Sequence, residues 1–319
     1  MIGKKAVRMM DGAVNFTVLF LFLLLFLYGC YALWDSNQIY QGADEAQFEK
    51  YKPSEEGSLS FEELKSLNPE VIGWISVYGT KIDYPVVQAD NNEKYINTNV
   101  KGEYSLSGSI FLDYHNKKDF TDFNSILYGH HMEQSAMFGD VGKFKENDYF
   151  SSHRYGNLYV NGNNYGVEFF AFLEADAYDS ELYISGIKGD EARQAYLNRL
   201  LAMSTNKRYI DIGTRDRIVL LSTCTLDITN GRQILAGRIT DTIYQDMLSD
   251  QKTDSEEKRV NTQVWNAFIR NIPAWLWLFI GLSPIPIASA VFTNRRKKYF
   301  KTKMKKQEEG EDDPKGQKD

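Results

Sequence analysis

Residues 217–224 read RIVLLSTC and residues 229–239 read TNGRQILAGRI. The first is an apolar run ending on a cysteine. The second is a turn signal, Thr229-Asn230-Gly231, followed by an arginine and another apolar run. Asn and Gly accept positive φ, so the pair reads as two strands joined by a short connection. A cysteine at the end of a buried strand has its backbone fixed by the sheet while its sulfur faces the rim. That is the placement a nucleophile needs.

The same texture extends upstream. Runs rich in β-branched and aromatic residues, at 71–77, 82–87, 109–113, 125–128, 158–160 and 166–175, are punctuated by Gly, Asn, Asp and Pro. Strands at this spacing predict a mostly β sandwich or barrel. Tyr78-Gly79-Thr80 and Asn161-Gly162-Asn163-Asn164 read as hairpin turns. Before the cysteine strand, Ala192, Tyr196, Leu200 and Met203, flanked by Ala195 and Leu201, form an apolar stripe at helical spacing, and Asp190 is placed to cap it. Nearer the N-terminus, Phe61, Leu64 and Leu67 follow Ser60, with Glu63 three residues on, the pattern of a capping box. Asn68-Pro69 ends that short helix.

The 319 residues, 43% of them hydrophobic, suffice for one good-sized core once the non-globular segments are set aside. Residues 14–33 are 20 uncharged, mostly apolar residues, the length that crosses a hydrocarbon core. The run is longer than the apolar part of a secretory leader, and Gly29 to Tyr31 offers no small-x-small cleavage site, so an uncleaved transmembrane anchor is expected. A second uncharged run, 272–293, carries Trp275 and Trp277 near one end and is interrupted by Pro284 and Pro286. It is expected to be a kinked or re-entrant second membrane segment. Lys4, Lys5 and Arg8 precede the first run, and Arg295, Arg296, Lys297, Lys298 and Lys301 follow the second. Both biases put the termini in the cytoplasm and everything between outside the cell membrane.

The chain then divides into a cytoplasmic N-terminus (1–13), the anchor (14–33), an extracellular stalk (34–58), a catalytic domain (59–240), a polar linker (241–271), the second segment (272–293) and a charged cytoplasmic tail (294–319). The net charge of -6 is spread, and no basic patch interleaved with aromatics suggests a nucleic-acid partner.

Of the two cysteines, Cys30 lies in the anchor, so Cys224 has no partner for an intramolecular disulfide. A lone thiol outside the cell is either packed and inert or kept for reactivity. An unassisted thiol is only a few per cent ionised at neutral pH, so a reactive one needs a partner. The four histidines are His115, His130, His131 and His153. His130 follows Ile126-Leu127-Tyr128-Gly129, where a strand meets a loop, and His131 would point to the opposite side of an extended backbone. Arg232, eight residues after Cys224, offers a permanent charge and several donors for an oxyanion or a substrate carbonyl. Arg238 lies six residues farther on, roughly 20 Å along an extended strand. Adjacent His130-His131 lacks the spacing that converges two imidazoles on a metal, so neither a metal nor another cofactor is expected.

These residues resemble a known family, the sortases. Leu221-Ser222-Thr223-Cys224 is similar to their Thr-Leu-x-Thr-Cys signature, with Leu220 in place of the first Thr, and Gly231-Arg232 before a strand is similar to their arginine site. Ile126-Leu127-Tyr128-Gly129-His130, followed by Met132 and Ala136-Met137-Phe138-Gly139, resembles their histidine segment. Val71-Ile72-Gly73-Trp74-Ile75, the stretch 79–88 and the helix from Asp190 to about Asn206 resemble class B in particular. The resemblance covers roughly 61–240. It implies a closed eight-stranded β barrel with peripheral helices. It also implies a transpeptidase with Cys224 as nucleophile, His130 as acid and then base, and Arg232 as oxyanion or substrate clamp. Ser222 and Thr223 are expected to bind substrate.

The implied partners are secreted proteins bearing a C-terminal sorting signal, cut after Thr, and an amine acceptor. A C-terminal membrane segment resembles pilin-polymerising members, although their Asp-Pro-aromatic lid is absent from the sequence. A pilin lysine is therefore the expected acceptor, with a peptidoglycan precursor as the alternative. A cysteine hydrolase, or a non-enzymatic membrane scaffold in which Cys224 is a packed core residue, are the readings of another class.

Overall fold

The structure is a computed structural model that describes residues 2–53, 59–225 and 229–248, with side chains from residue 11 onward. Chain contacts divide the molecule into Met1–Gln251 and Lys252–Asp319. The expected second membrane segment at 272–293 and the charged tail lie outside the described residues.

Nine strands follow one another as β1 (Val71–Val77), β2 (Asp83–Val87), β3 (Ile110–Leu112), β4 (Asn124–Tyr128), β5 (Tyr155–Val160), β6 (Asn163–Asp176), β7 (Ser204–Lys207), β8 (Arg217–Cys224) and β9 (Gly231–Thr240). They are hydrogen-bonded in the order β5-β1-β2-β3-β4-β8-β9-β6-β7, and a further β5–β6 pairing closes eight of them into a barrel. The 14-residue β6 makes this possible. One of its edges takes β9, while the other takes β5 along its first half and β7 along its second. Strand β7 is the one the sequence reading lacks: its residues, Ser-Thr-Asn-Lys, are polar and alternate between exposed and half-buried.

The predicted turns form as expected. Gly79 (φ 76°) closes the β1–β2 hairpin, and Asn161 (φ 51°) and Gly162 (φ 79°) close β5–β6, both at positive φ, where glycine and asparagine are tolerated.

Two apolar layers explain why the run Ile218-Val219-Leu220-Leu221 does not alternate with polar residues. Val219, Leu221 and Leu235 pack inside the barrel with Leu127, Phe169 and Phe172. Ile218, Leu220, Ile234 and Ala236 face outward, under α4 (Asp190–Met203), against Tyr196, Leu197 and Leu200. Strands covered on both faces read as unbroken apolar runs. A bulge in β6 between Phe169 and Ala171 serves the same end. It puts consecutive Phe170 and Ala171 both in the outer layer before Phe172 turns back inside.

The helices depart from the sequence reading in detail. Gly189, not Asp190, occupies the N-cap of α4, and Asp190 lies in the first turn, where its charge suits the helix dipole. Helix α2 (Leu59–Leu67) already includes Ser60, so the expected capping box is not formed there. Phe61 and Leu64 are buried, whereas Leu67 is exposed because Asn68 turns the chain away. A short α3 (Asn147–Ser152) lies beside the barrel.

The N-terminal helix α1 runs without a break through Ile2–Ala43, so the first ten of the 25 residues of the expected stalk continue it. Its portion Asp11–Ala43 is long and apolar enough to cross a membrane. The described remainder of that stretch, 44–53, is not free. Ala43, Phe48 and Tyr51 are buried in the barrel's core cluster, and Lys52 pairs with Asp83 at 2.6 Å. Asp83 also accepts from Trp74 Nε1 and Ser76 Oγ. Burial alone would raise that carboxyl, but Lys52 and the two hydrogen bonds outweigh it and hold it below the usual carboxylate range.

Candidate active site

Strand register assembles the site. β8 and β9 are antiparallel with Cys224 directly opposite Arg232, a pairing that places side chains about 5 Å apart at Cβ. Arg232 Nη1 donates to Cys224 Sγ at 2.9 Å and also to the Gly231 carbonyl. A permanent cation therefore rests against the sulfur, at the point where an attacked carbonyl would develop negative charge.

Strand β4 runs parallel to β8 with Tyr128 opposite Ser222, and Gly129 N–H donates to the Ser222 carbonyl beyond the last pair. His130 follows two residues after Tyr128, just past the end of β4. Its ring is oriented by a backbone contact: Nε2 donates to the Ile96 carbonyl at 2.8 Å, since a carbonyl oxygen only accepts.

The other histidines are engaged elsewhere. His115 Nδ1 lies 3.0 Å from Asp113, His153 stacks on the Tyr149 ring, and His131 forms a backbone bridge to Met137 while its Nδ1 is buried without a hydrogen-bond partner among the described residues. Cys224 itself is half-buried and free of any disulfide, so it is neither sealed in the core nor fully exposed.

Ser222 and Thr223 are both covered. Alternation along β8 turns Thr223 into the barrel, where it is 2% exposed and its hydroxyl has no hydrogen-bond partner among the described residues. Ser222 shares the outward face with Cys224 but is 1% exposed, and its hydroxyl is hydrogen-bonded to Tyr183 at 2.9 Å. Neither hydroxyl is open to a ligand in this structure.

Tyr183 is the residue that sequence reasoning missed. It stands in the β6–α4 connection, stacks on Tyr128 with centroids 6.2 Å apart, and covers Ser222. Burial pushes its phenol up to about 12, an effect that the Ser222 hydrogen bond and the nearby Arg232 charge oppose. Its loop has no periodicity to single out one tyrosine among 20.

Among the described residues no cluster of three or more His, Cys, Asp and Glu side chains is placed to hold a metal ion. The arrangement is a half-buried thiol in contact with a guanidinium, with a histidine in the loop that leaves the neighbouring strand.

Comparison with known proteins agrees with this chemistry. No family model matches the chain. Sortase B of Listeria monocytogenes is 33% identical over 181 residues, 56% of this chain and 72% of that protein. The crystal structure of sortase B from the type II pilus of Streptococcus pneumoniae is 52% identical, with a TM-score of 0.51, over 57% of this chain and 99% of that one. A class B sortase of Streptococcus pyogenes involved in pilus biogenesis is 39% identical, with a TM-score of 0.52, over 57% and 98%. Identity at these levels, spread over most of each relative and carried on the same closed barrel, means that the chain belongs to the class B sortases, which are cysteine transpeptidases.

Proposed function

We propose that this sortase polymerises pilins at the cell surface. The observation that carries the reading is the 52% identity to a sortase B of a pilus system over 99% of that chain, joined by 39% identity to a second pilus-biogenesis enzyme.

In the proposed reaction the Cys224 thiol gives its proton to His130 and the sulfur attacks the carbonyl carbon of the Thr in a sorting signal. Arg232, already in contact with that sulfur, donates to the oxyanion. His130 gives a proton to the departing amine, and the bond breaks to leave a thioester on Cys224. A lysine amine of another pilin then attacks the thioester while His130 accepts its proton, and the new amide leaves with the thiol restored. The pairing of Cys224 with Arg232 at the strand ends, with His130 in the loop that leaves the neighbouring strand β4, supports these roles.

Helix Asp11–Ala43 supports an N-terminal membrane anchor with the barrel outside the cell. The basic residues at both ends of the sequence support cytoplasmic termini.

The test is to incubate the full chain with a pool of Thr-centred peptides and either a lysine-bearing pilin fragment or a peptidoglycan precursor, and to identify products by mass spectrometry. Ligation to lysine supports pilus assembly. Ligation only to the precursor moves the function to cell-wall anchoring, and release to water alone makes the enzyme a hydrolase.

A further inference from the structure

The segment that leaves the membrane helix is built into the loop that carries the histidine. The loop from Gly129 to Gly139 closes on itself: Phe138 N–H donates to the His130 carbonyl at 3.0 Å, and His131 bridges to Met137. Inside it, Gln134, Ser135 and Met137 sit at φ 59°, 65° and 53°. Non-glycine residues reach such angles only where surrounding contacts hold them.

Two of those contacts come from lysines: Lys81 Nζ to the Gln134 carbonyl and Lys143 Nζ to Ser135 Oγ. The buried one comes from Tyr84 on β2. Its hydroxyl accepts from Met137 N–H at 3.0 Å and donates to the Ala43 carbonyl at 2.8 Å. Met137, Tyr84 and Ala43 are all at most 2% exposed, so neither backbone group has water as a substitute. Phe48 packs edge-on to the Tyr84 ring from the same membrane-proximal segment, and Tyr40 reaches Glu133 in the loop.

We propose that Tyr84 is a positioning residue for catalysis, a single phenol that ties the end of the membrane helix to the His130 loop and so fixes where the imidazole stands. The inference rests on the proposed role of His130. It makes the junction at Ala43–Tyr51 part of the working enzyme instead of a passive tether.

The experiment uses the full chain in detergent or vesicles, with the best-cleaved member of a Thr-centred peptide pool as probe. Tyr84→Phe keeps the ring and removes both hydrogen bonds. It should lower kcat about tenfold with KM within twofold, and speed hydrogen exchange at the Met137 amide. Arg154→Ala, which takes one cation from the buried Glu168 on β6, away from Tyr84, is the comparison: it should lower Tm and leave kcat unchanged.

If the two variants lose activity only in proportion to Tm, or if Tyr84→Phe turns over like the wild type, the inference is wrong. If Tyr84→Phe does not fold, Ala43→Leu crowds the same hydrogen bond from the membrane side and is judged by the same split between kcat and KM. His130→Ala separates the two ideas. A dead His130→Ala beside a fully active Tyr84→Phe overturns only the positioning role, whereas an active His130→Ala overturns the histidine assignment itself.

Discussion

Two arginines on β9 face opposite fates. Arg238, near the strand's end, donates to Glu168 at 2.7 Å, and Arg154 donates to the same carboxylate at 2.6 Å. Glu168 is 4% exposed, so its charge is neutralised by two guanidinium groups and the trio serves as internal structure. Arg232, at the strand's start, has as partners among the described residues a thiol sulfur and its neighbour's carbonyl. The same side chain is structural where a buried carboxylate consumes its charge. At the other end of the strand its donors meet a thiol at the sheet's edge, which supports the proposed catalytic role.

The largest effect that would test this contrast is Cys224→Ala, which should abolish thioester trapping and ligation while leaving Tm within a few degrees, because the thiol is half-buried. Mass spectrometry of the peptide adduct and a thermal melt read both halves. Any residual adduct would place the nucleophile elsewhere.

Arg232→Ala should come next, lowering kcat/KM by roughly 10²–10³, the range for loss of one oxyanion donor, with little change in stability. Arg238→Ala should do the reverse. It takes one of two cations from a buried carboxylate, so denaturant unfolding should show a loss of about 3 kcal/mol with kcat unchanged. If both variants behaved alike, the division between the two ends of β9 would fail.

A pH series sharpens the structural side. Burial works to raise Glu168, but its hydrogen bonds and charge interactions with Arg154 and Arg238 win and hold it below its ordinary value. Because the folded-state value is the lower one, the stabilisation is complete above the unfolded carboxyl's range, near pH 4.3. It drains away as pH falls through the folded-state value. Unfolding free energies measured from pH 7 down to 3 should decline below about pH 5, and more shallowly in Glu168→Gln. Asp83 carries the same sign, through Lys52, Ser76 and Trp74, and contributes to the residual slope.

The smallest effect is expected of Tyr183→Phe, which removes the hydrogen bond to Ser222 but keeps the stack on Tyr128. A loss of about 1 kcal/mol or less in stability and a few-fold rise in KM would mark Tyr183 as a wall of the site. Unchanged kinetics would leave it as packing.

Much of the barrel was legible beforehand because its strands carry their own signals. Val71–Val77 was read to the residue, and the turns at Gly79 and Gly162 were marked by residue types that adopt positive φ most readily. Strand β7 was not legible, because four polar residues pair only by virtue of the long β6 edge beside them. The packing of Ala43, Phe48 and Tyr51 was not legible because three such residues are too sparse to make a core of their own. They are buried only because the barrel supplies the other side.

By itself, then, the sequence determined the local facts: which runs would be strands, which turns would need glycine or asparagine, and that Cys224, His130 and Arg232 each stand at a strand's edge. Only the tertiary structure decided what meets what. Cross-strand register put Arg232 against the Cys224 sulfur, parallel pairing brought β4 beside β8, and Tyr183 and Tyr84 acquired their places from partners more than 35 residues away. Periodicity reports the face a side chain takes along its own element, whereas contacts between elements depend on how the sheet closes, and no local pattern encodes that closure.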